Sequence, residues 1–356
     1  MKICVIFGGI STEHDVSIVS GTSVIKNLNK QKYKIIPMYI DKDGIWYRYL
    51  KEISQINILK IGEQPIELEK VDNFVDIIRQ CDIVFPVLHG IGGEDGSIQG
   101  LCKMLNKPIV GCGILASSIG MDKVYTKAIL EKAKIRQTKY QYVRKIENNY
   151  IYIDSNFNEK EEKLDNVCSE IEKSLLYPMF IKPSNSGSSV GIKKANNLVE
   201  LKEAIVYAGN YDKKIIIEQG IDGREIECAV IGNENVEASC VGEIVSADDF
   251  YSFNAKYKNS ESRTIIPAEI SKEISDEIRR IAIKAFKAID GKGLARVDFF
   301  VEKNTNNIYL NEINTMPGFT QISMYPKLFE NSGIKYEKIL DKLIELAKEE
   351  WYNKKR

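Results

Sequence analysis

Apolar and polar positions along the first 122 residues follow two alternating periods. Near-continuous apolar runs at Lys2 to Phe7, Ile35 to Ile40, Ile83 to Val87 and Pro108 to Val110 read as buried strands, and Asp15 to Leu28 repeats at helical spacing. Strands and helix in turn predict an N-terminal open parallel α/β domain over residues 1–122. Such sheets collect ligands at the carboxyl ends of their strands, where this chain carries Gly8-Gly9 and His89-Gly90. Gly8-Gly9-Ile10 lacks the G-x-G-x-x-G spacing, which argues against a dinucleotide fold and an NAD enzyme.

From about Met121 the pattern changes to a helix over Lys123 to Lys132, strand-like Tyr140 to Val143, and a polar stretch from Glu147 to Lys173. Within that stretch, Glu159-Lys160-Glu161-Glu162-Lys163 reads as the exposed face of a helix. Strand Met179 to Lys182, a Gly and Ser loop, helix Leu198 to Ala208 and strand Lys214 to Glu218 come next. A third unit carries strand Glu225 to Ile231, an amphipathic helix Ile274 to Ile289 and an acidic hairpin. A closing helix with the stripe Tyr336, Ile339, Leu340, Leu343 and Ala347 is expected only to pack. The expected domains are 1–122, 123–212 and 213–356, the last two of α+β type. No internal repeat or low-complexity tract interrupts them.

A length of 356 residues suits two or three domains and an enzyme-sized core. Lys plus Arg and Asp plus Glu each number 50, and no basic block suggests nucleic acid, so an anionic ligand must be held by local charges. The run Ile3 to Phe7 is too short for a signal segment, and no stretch approaches the roughly 18 apolar residues of a membrane span. A soluble, cytoplasmic protein is expected. Seven scattered cysteines without a Cys-x-x-Cys pair argue against disulfides and structural zinc.

The chemistry concentrates in three places. Around the turn Lys303-Asn304-Thr305-Asn306-Asn307, Arg296 and Asp298 share a face of one strand, and Glu312 and Asn314 share a face of the other. With Thr305 at the turn centre, Asp298 lies opposite Glu312, and facing carboxylates repel unless a cation or proton sits between them. Mg²⁺ takes such hard oxygen ligands together with phosphate oxygens. The loop Lys182-Pro183-Ser184-Asn185-Ser186-Gly187-Ser188-Ser189-Val190-Gly191 supplies one cation and a run of N–H and hydroxyl donors able to cover phosphates. It is not a P-loop, because its lysine precedes the glycines. Between Glu218 and Glu225 lies a connector that offers backbone groups and a carboxylate to a base and a ribose. Glu225 and Glu227 share a face and read as solvated.

These motifs resemble the D-alanine–D-alanine ligases of the ATP-grasp superfamily over Gly8 to about Leu328. The resemblance is carried by Gly8-Gly9-Ile10-Ser11-Thr12-Glu13, His89-Gly90, Gly92-Gly93-Glu94-Asp95-Gly96, Met121-Asp122-Lys123, Lys182-Pro183 with Gly187-Ser188-Ser189-Val190-Gly191, Lys256-Tyr257, Arg296 to Asp298, and Glu312 to Gly318. It implies an ATP-grasp fold, with the N-terminal α/β domain and two α+β domains enclosing ATP, and a ligation of two D-alanine molecules through an acyl phosphate for peptidoglycan precursors. Lys123, Lys182 and Lys256 would serve the nucleotide phosphates, Glu218, Gln219, Gly220 and Ile221 the adenine, and Glu225 the ribose. Asp298, Glu312 and Asn314 would bind two Mg²⁺, with Mn²⁺ as a substitute. Glu13 would take the first substrate's ammonium and His89 would neighbour its carboxylate. Ser188 and Tyr257 would link to Glu13 under a lid. Arg296 and the Gly318 N–H would face the developing oxyanion, and Ser323 with Met324 would contact the second substrate. A homodimer is implied.

The chain departs from the family pattern at Phe250 to Ala255, at Ala133-Lys134-Ile135-Arg136 and at Ile322, none of them a phosphate or metal ligand. A D-alanine–D-serine or D-alanine–D-lactate ligase is the alternative. Met324 supplies no cation for D-serine, and Lys256-Tyr257 matches the dipeptide-forming lid. A regulatory module that binds nucleotide without turnover is disfavoured by the presence of Arg296 and the complete set of metal ligands.

Overall fold

The computed structural model describes residues 1–154, 158–245 and 263–353, and its described strands form three sheets. The first contains β1 (Lys2–Gly8), β2 (Lys34–Ile40), β3 (Trp46–Tyr49), β4 (Leu68–Lys70) and β5 (Ile83–Val87), in the order β4-β3-β2-β1-β5. Only β2, β1 and β5 run parallel, because β3 and β4 return antiparallel at one edge, so the sheet is mixed where a parallel one was expected. Pro108 to Val110 forms no named strand and contributes an isolated bridge between Val84 and Ile109.

The second sheet is antiparallel throughout: β6 (Tyr140–Ile146), β7 (Asn149–Ile153), β8 (Glu159–Glu162), β9 (Met179–Pro183), β10 (Lys193–Ala195) and β11 (Lys214–Gln219), in the order β10-β9-β11-β6-β7-β8. β11 lies beyond residue 212 yet pairs in this sheet. The charged run expected as a helical face is β8, an edge strand against β7. A run without apolar residues carries no period to read, and charges on an edge strand discourage pairing with other chains. The helix of this polar stretch follows at Leu164–Ser174.

The third sheet is β12 (Gly223–Gly232), β13 (Glu237–Val245), β14 (Arg263–Ile265), β15 (Gly293–Glu302) and β16 (Ile308–Asn314), in the order β14-β13-β12-β15-β16. Its helix Lys272–Ala288 starts at Ser271, whose hydroxyl accepts the Ile274 N–H, and buries Ile278, Ala282, Ala285 and Phe286. One core cluster joins the first sheet to the third through the C-terminal helix Tyr336–Asn353, with Phe7, Phe85, Phe319, Tyr325, Leu340 and Leu343 in a single packed set. Each such side chain contributes about 1.5 to 3 kcal/mol on burial. That packing holds the Met316–Thr320 turn against the carboxyl ends of β1 and β5, which places it at the site.

Candidate active site

Where the sheets meet lies a cavity of about 610 Å³, the size of a small-ligand site. Every described residue given a site role in the sequence lines it: Glu13, His89, Lys123, Lys182, Ser188, Glu218, Gln219, Gly220, Ile221, Glu225, Arg296, Asp298, Glu312, Asn314, Gly318, Ser323 and Met324. Lys256, Tyr257 and the departing stretch Phe250 to Ala255 fall outside the described residues.

Glu13 ends the turn that follows β1. Its carboxylate accepts from the Ser188 hydroxyl across the cavity, and a Cβ on Gly187 or Gly90 would come within 2.5 or 2.9 Å of Oε2. Two glycines therefore let the first sheet's loop and the Gly187–Gly191 loop close on one carboxylate. Ser188 and Ser189 adopt left-handed φ of 48° and 60°, which turns this loop toward Glu13. His89 is only 4% exposed, and both ring nitrogens are engaged: Nδ1 at 3.0 Å from the Met316 carbonyl and Nε2 at 3.0 Å from the Ser20 hydroxyl. The carbonyl can only accept, so the proton sits on Nδ1, and burial lowers the ring's pKa and favours its neutral form. His89, expected to neighbour a substrate carboxylate, lines the cavity, and its ring ties the Met316–Phe319 turn to the helix carrying Ser20. Glu94 was quoted in a motif but given no role. It accepts the Gly90 N–H at 3.0 Å, and burial together with Glu13 pushes its carboxyl up to about 8.

On the basic side, Asp122 caps the helix Lys123–Lys132, accepting from the N–H groups of Val124 and Tyr125. It also accepts from the Ser184 hydroxyl at 2.7 Å and from Lys214 at 2.5 Å. This anchors the helix start to the loop after β9, and Lys123 donates from Nζ to the Ser186 carbonyl at 2.6 Å. Glu218 was expected at the adenine, but its buried carboxylate is held by two lysines, Lys127 on Oε1 at 2.6 Å and Lys182 on Oε2. Burial alone would raise its pKa, and the two ammonium groups overcome that and hold it far below the carboxylate range. Its neighbours are positioned by backbone: the Gln219 N–H donates to the Lys139 carbonyl at 2.9 Å and the Gly220 N–H to the Pro178 carbonyl at 2.7 Å. Lys127 was missed, although its i+4 spacing from Lys123 places both on one helix face.

On the acidic side, Asp298 pairs with Glu312 and Arg296 with Asn314, as expected, though not by the symmetric turn supposed. Pairs next to the turn, Val301 with Ile308 and Phe299 with Leu310, centre it between Asn304 and Thr305, which would set Asp298 against Asn311. A bulge between Asp298 and Phe299 takes up the extra residue and brings Glu312 opposite Asp298. Arg296 donates to both Asp298 oxygens at 2.7 Å and stands 3.1 Å from Glu227, while Asn314 Nδ2 donates to Asp298 at 2.9 Å. Glu227, expected on a solvated face, is only 8% exposed, paired across the sheet with Asp298 and 3.1 Å from Arg296.

Two carboxylates and a carboxamide make a hard oxygen donor set, suited to Mg²⁺ that shares phosphate oxygens. Among the described residues no group of three or more His, Cys, Asp or Glu side chains stands close enough for an all-protein metal cage. At the far end, a Cβ on Gly318 would lie 2.6 Å from the Ser323 hydroxyl, so glycine is what fits beside Ser323 there. Met324 is buried against Gly242.

Two family models match the chain: the D-ala D-ala ligase N-terminus over residues 2–112 and the D-ala D-ala ligase C-terminus over residues 147–345. The chain belongs to the D-alanine–D-alanine ligase family. The D-alanine–D-alanine ligase of Acetivibrio thermocellus is 48% identical, covering 97% of this chain and 95% of that protein. The solved D-alanine–D-alanine ligase from Coxiella burnetii superposes with a TM-score of 0.81 at 32% identity, over 100% of this chain and 96% of that one. The VanG D-Ala:D-Ser ligase from Enterococcus faecalis superposes with a TM-score of 0.83 at 36% identity, over 97% and 99%. The three sheets are accordingly those of the ATP-grasp fold, and the chain is a member of an ATP-dependent ligase family.

Proposed function

We propose that this enzyme joins two D-alanine molecules into D-alanyl-D-alanine at the expense of ATP, for peptidoglycan precursor synthesis. The observation that carries the reading is the gathering, in one cavity, of Lys123 and Lys182 with Asp298, Glu312 and Asn314, and of Glu13, Arg296 and Gly318.

The lysines and the Ser186–Gly191 loop would hold the triphosphate, and the connector Glu218 to Ile221 with Glu225 the nucleoside. Lys256 is proposed to join the phosphate contacts. Asp298, Glu312 and Asn314 would hold two Mg²⁺ ions, or Mn²⁺, which neutralise phosphate charge when bound. Glu13, fixed by Ser188, would take the ammonium of the first D-alanine and turn its carboxylate toward the γ-phosphate. Attack there forms the acyl phosphate and releases ADP. The amine of the second D-alanine, placed by Ser323 and Met324, then attacks the acyl carbon and phosphate departs. Arg296 and the Gly318 N–H would stabilise the oxygen that becomes negative in that attack. Arg296 is already oriented by Asp298 and Glu227, so little reorganisation is needed when charge develops. Tyr257 is proposed to complete the closure over Glu13 and keep water from the acyl phosphate.

A D-serine-accepting second site is the other reading, favoured by the likeness to the VanG ligase. Against it, Met324 places a thioether and no cation near Ser323. The homodimer, a cytoplasmic setting and the three-domain division are proposed with the same assignment; among the described residues no helix is long and apolar enough to cross a membrane. The test is phosphate release with ATP, Mg²⁺ and D-alanine, alone and against D-serine or D-lactate, with the product identified by mass. D-alanyl-D-alanine as the main product is expected. A dominant D-alanyl-D-serine product would replace it with the second reading, and no ligated product with D-alanine alone or with D-serine or D-lactate added would refute both.

A further inference from the structure

Lys127 is a buried cation to which the proposed chemistry gives no task. Its side chain is 2% exposed against 13% for Lys182, and it does not line the cavity that Lys182 faces. Its ammonium donates to Thr138 Oγ1 at 3.1 Å, beneath the cavity wall that Thr138 lines, and lies 5.3 Å from the centre of the Tyr140 ring at the start of β6. The remaining partner is Glu218 Oε1 at 2.6 Å, while Lys182 holds the other oxygen of that carboxylate.

These contacts set up a competition. A phosphate that recruits Lys182 draws it from Glu218, and a carboxylate left buried without a cation costs several kcal/mol. With Lys127 in place the carboxylate keeps one ammonium whichever way Lys182 turns. With Lys127 absent, Lys182 would be the one direct salt-bridge partner left to Glu218 and would be held back from the nucleotide. We infer that Lys127 is a positioning residue for nucleotide binding: it stays on Glu218 as a permanent counter-ion and so frees Lys182 for the phosphates of ATP. The inference rests on the proposed nucleotide site.

The test measures ADP binding in the presence of Mg²⁺ by calorimetry, with the Michaelis constants for ATP and D-alanine and the melting temperature alongside. Lys127→Met is expected to weaken ADP and raise the KM for ATP by at least about tenfold, the scale of one hydrogen bond to a charged group, without changing the KM for D-alanine. Adding Lys127→Met to Glu218→Gln removes the need for a counter-ion and should change ADP affinity by less than about twofold relative to Glu218→Gln alone. This second comparison stands even if Lys127→Met by itself folds poorly. Unchanged ADP affinity in Lys127→Met, with or without a lower melting temperature, overturns the inference. So does a tenfold loss that persists in the Glu218→Gln background, which would make Lys127 a general source of positive charge. If the unmodified enzyme fails to bind ADP with Mg²⁺, it is the proposed nucleotide site that fails.

Discussion

Gly187→Ala isolates the geometry of Glu13 from the stability of the fold. The φ of Gly187 lies outside the left-handed region, so alanine fits the backbone, but its Cβ would sit 2.5 Å from Glu13 Oε2 and 3.5 Å from Cδ. The obstructing atom is the end of a flexible side chain, and moving it off its rotamer costs of order 0.5 to 1.5 kcal/mol. That corresponds to a fall in melting temperature of only a few degrees. Restoring contact at 3.4 Å displaces the carboxylate by about 0.9 Å, and roughly 1 Å of misplacement at a reacting site costs on the order of 100-fold in rate. Steady-state phosphate release should therefore show kcat/KM for D-alanine down by about two orders of magnitude, with the melting curve nearly unmoved. Gly100→Ala is the control: its added methyl meets nothing within 4 Å, and it lies in the helix Ser97–Met104. It should gain about 0.5 to 1 kcal/mol of stability and keep full activity. A Gly187→Ala enzyme within about threefold of the unmodified rate, on the scale of the 100-fold loss expected, would show that Glu13 is not held to a catalytic geometry.

Glu312→Gln keeps the β15–β16 hairpin and its size but removes one of the facing charges. Mn²⁺ binding followed by electron paramagnetic resonance should weaken at least about tenfold and turnover should be lost, with the circular dichroism spectrum unchanged; an active variant would refute the metal assignment. Glu94 titrates at about 8 in the folded chain against an ordinary value of 4.5, so the folded state binds the extra proton between those pH values. Stability should fall as pH rises through that window, and Glu94→Gln, which preserves the acceptor for the Gly90 N–H, should flatten the slope. Urea midpoints measured from pH 5 to 8.5 decide this, and parallel curves for the two proteins would count against it.

The longer helices were legible in the chain because their determinants are local, whereas the shorter Phe74–Gln80, Ser97–Met104, Ile114–Met121 and Met324–Asn331 were not read. Lys123–Lys132 and Leu198–Ala208 start after Asp122 and Asn197, whose side chains accept the N–H groups of the first turn. Glycine signals around Glu13 and in the Gly187–Gly191 loop were visible for a similar reason: the backbone can approach a ligand or carboxylate closely only where a Cβ is missing. So was the facing of Asp298 and Glu312, which follows from a hairpin count and a period of two, although the bulge that actually aligns them has no local signature. Tertiary structure decided the pairing of buried charges and polar groups. His89 meets Ser20 and Met316 from 69 and 227 residues away, Glu218 reaches Lys127 in a different element, and the buried Glu227 meets Arg296 of β15. The edge strand at Glu159–Glu162 likewise exists by virtue of β7 beside it. A period or a cap depends on neighbours within a few residues, whereas removing a charge or a hydrogen-bonding group from water makes a partner obligatory without indicating where along the chain it lies.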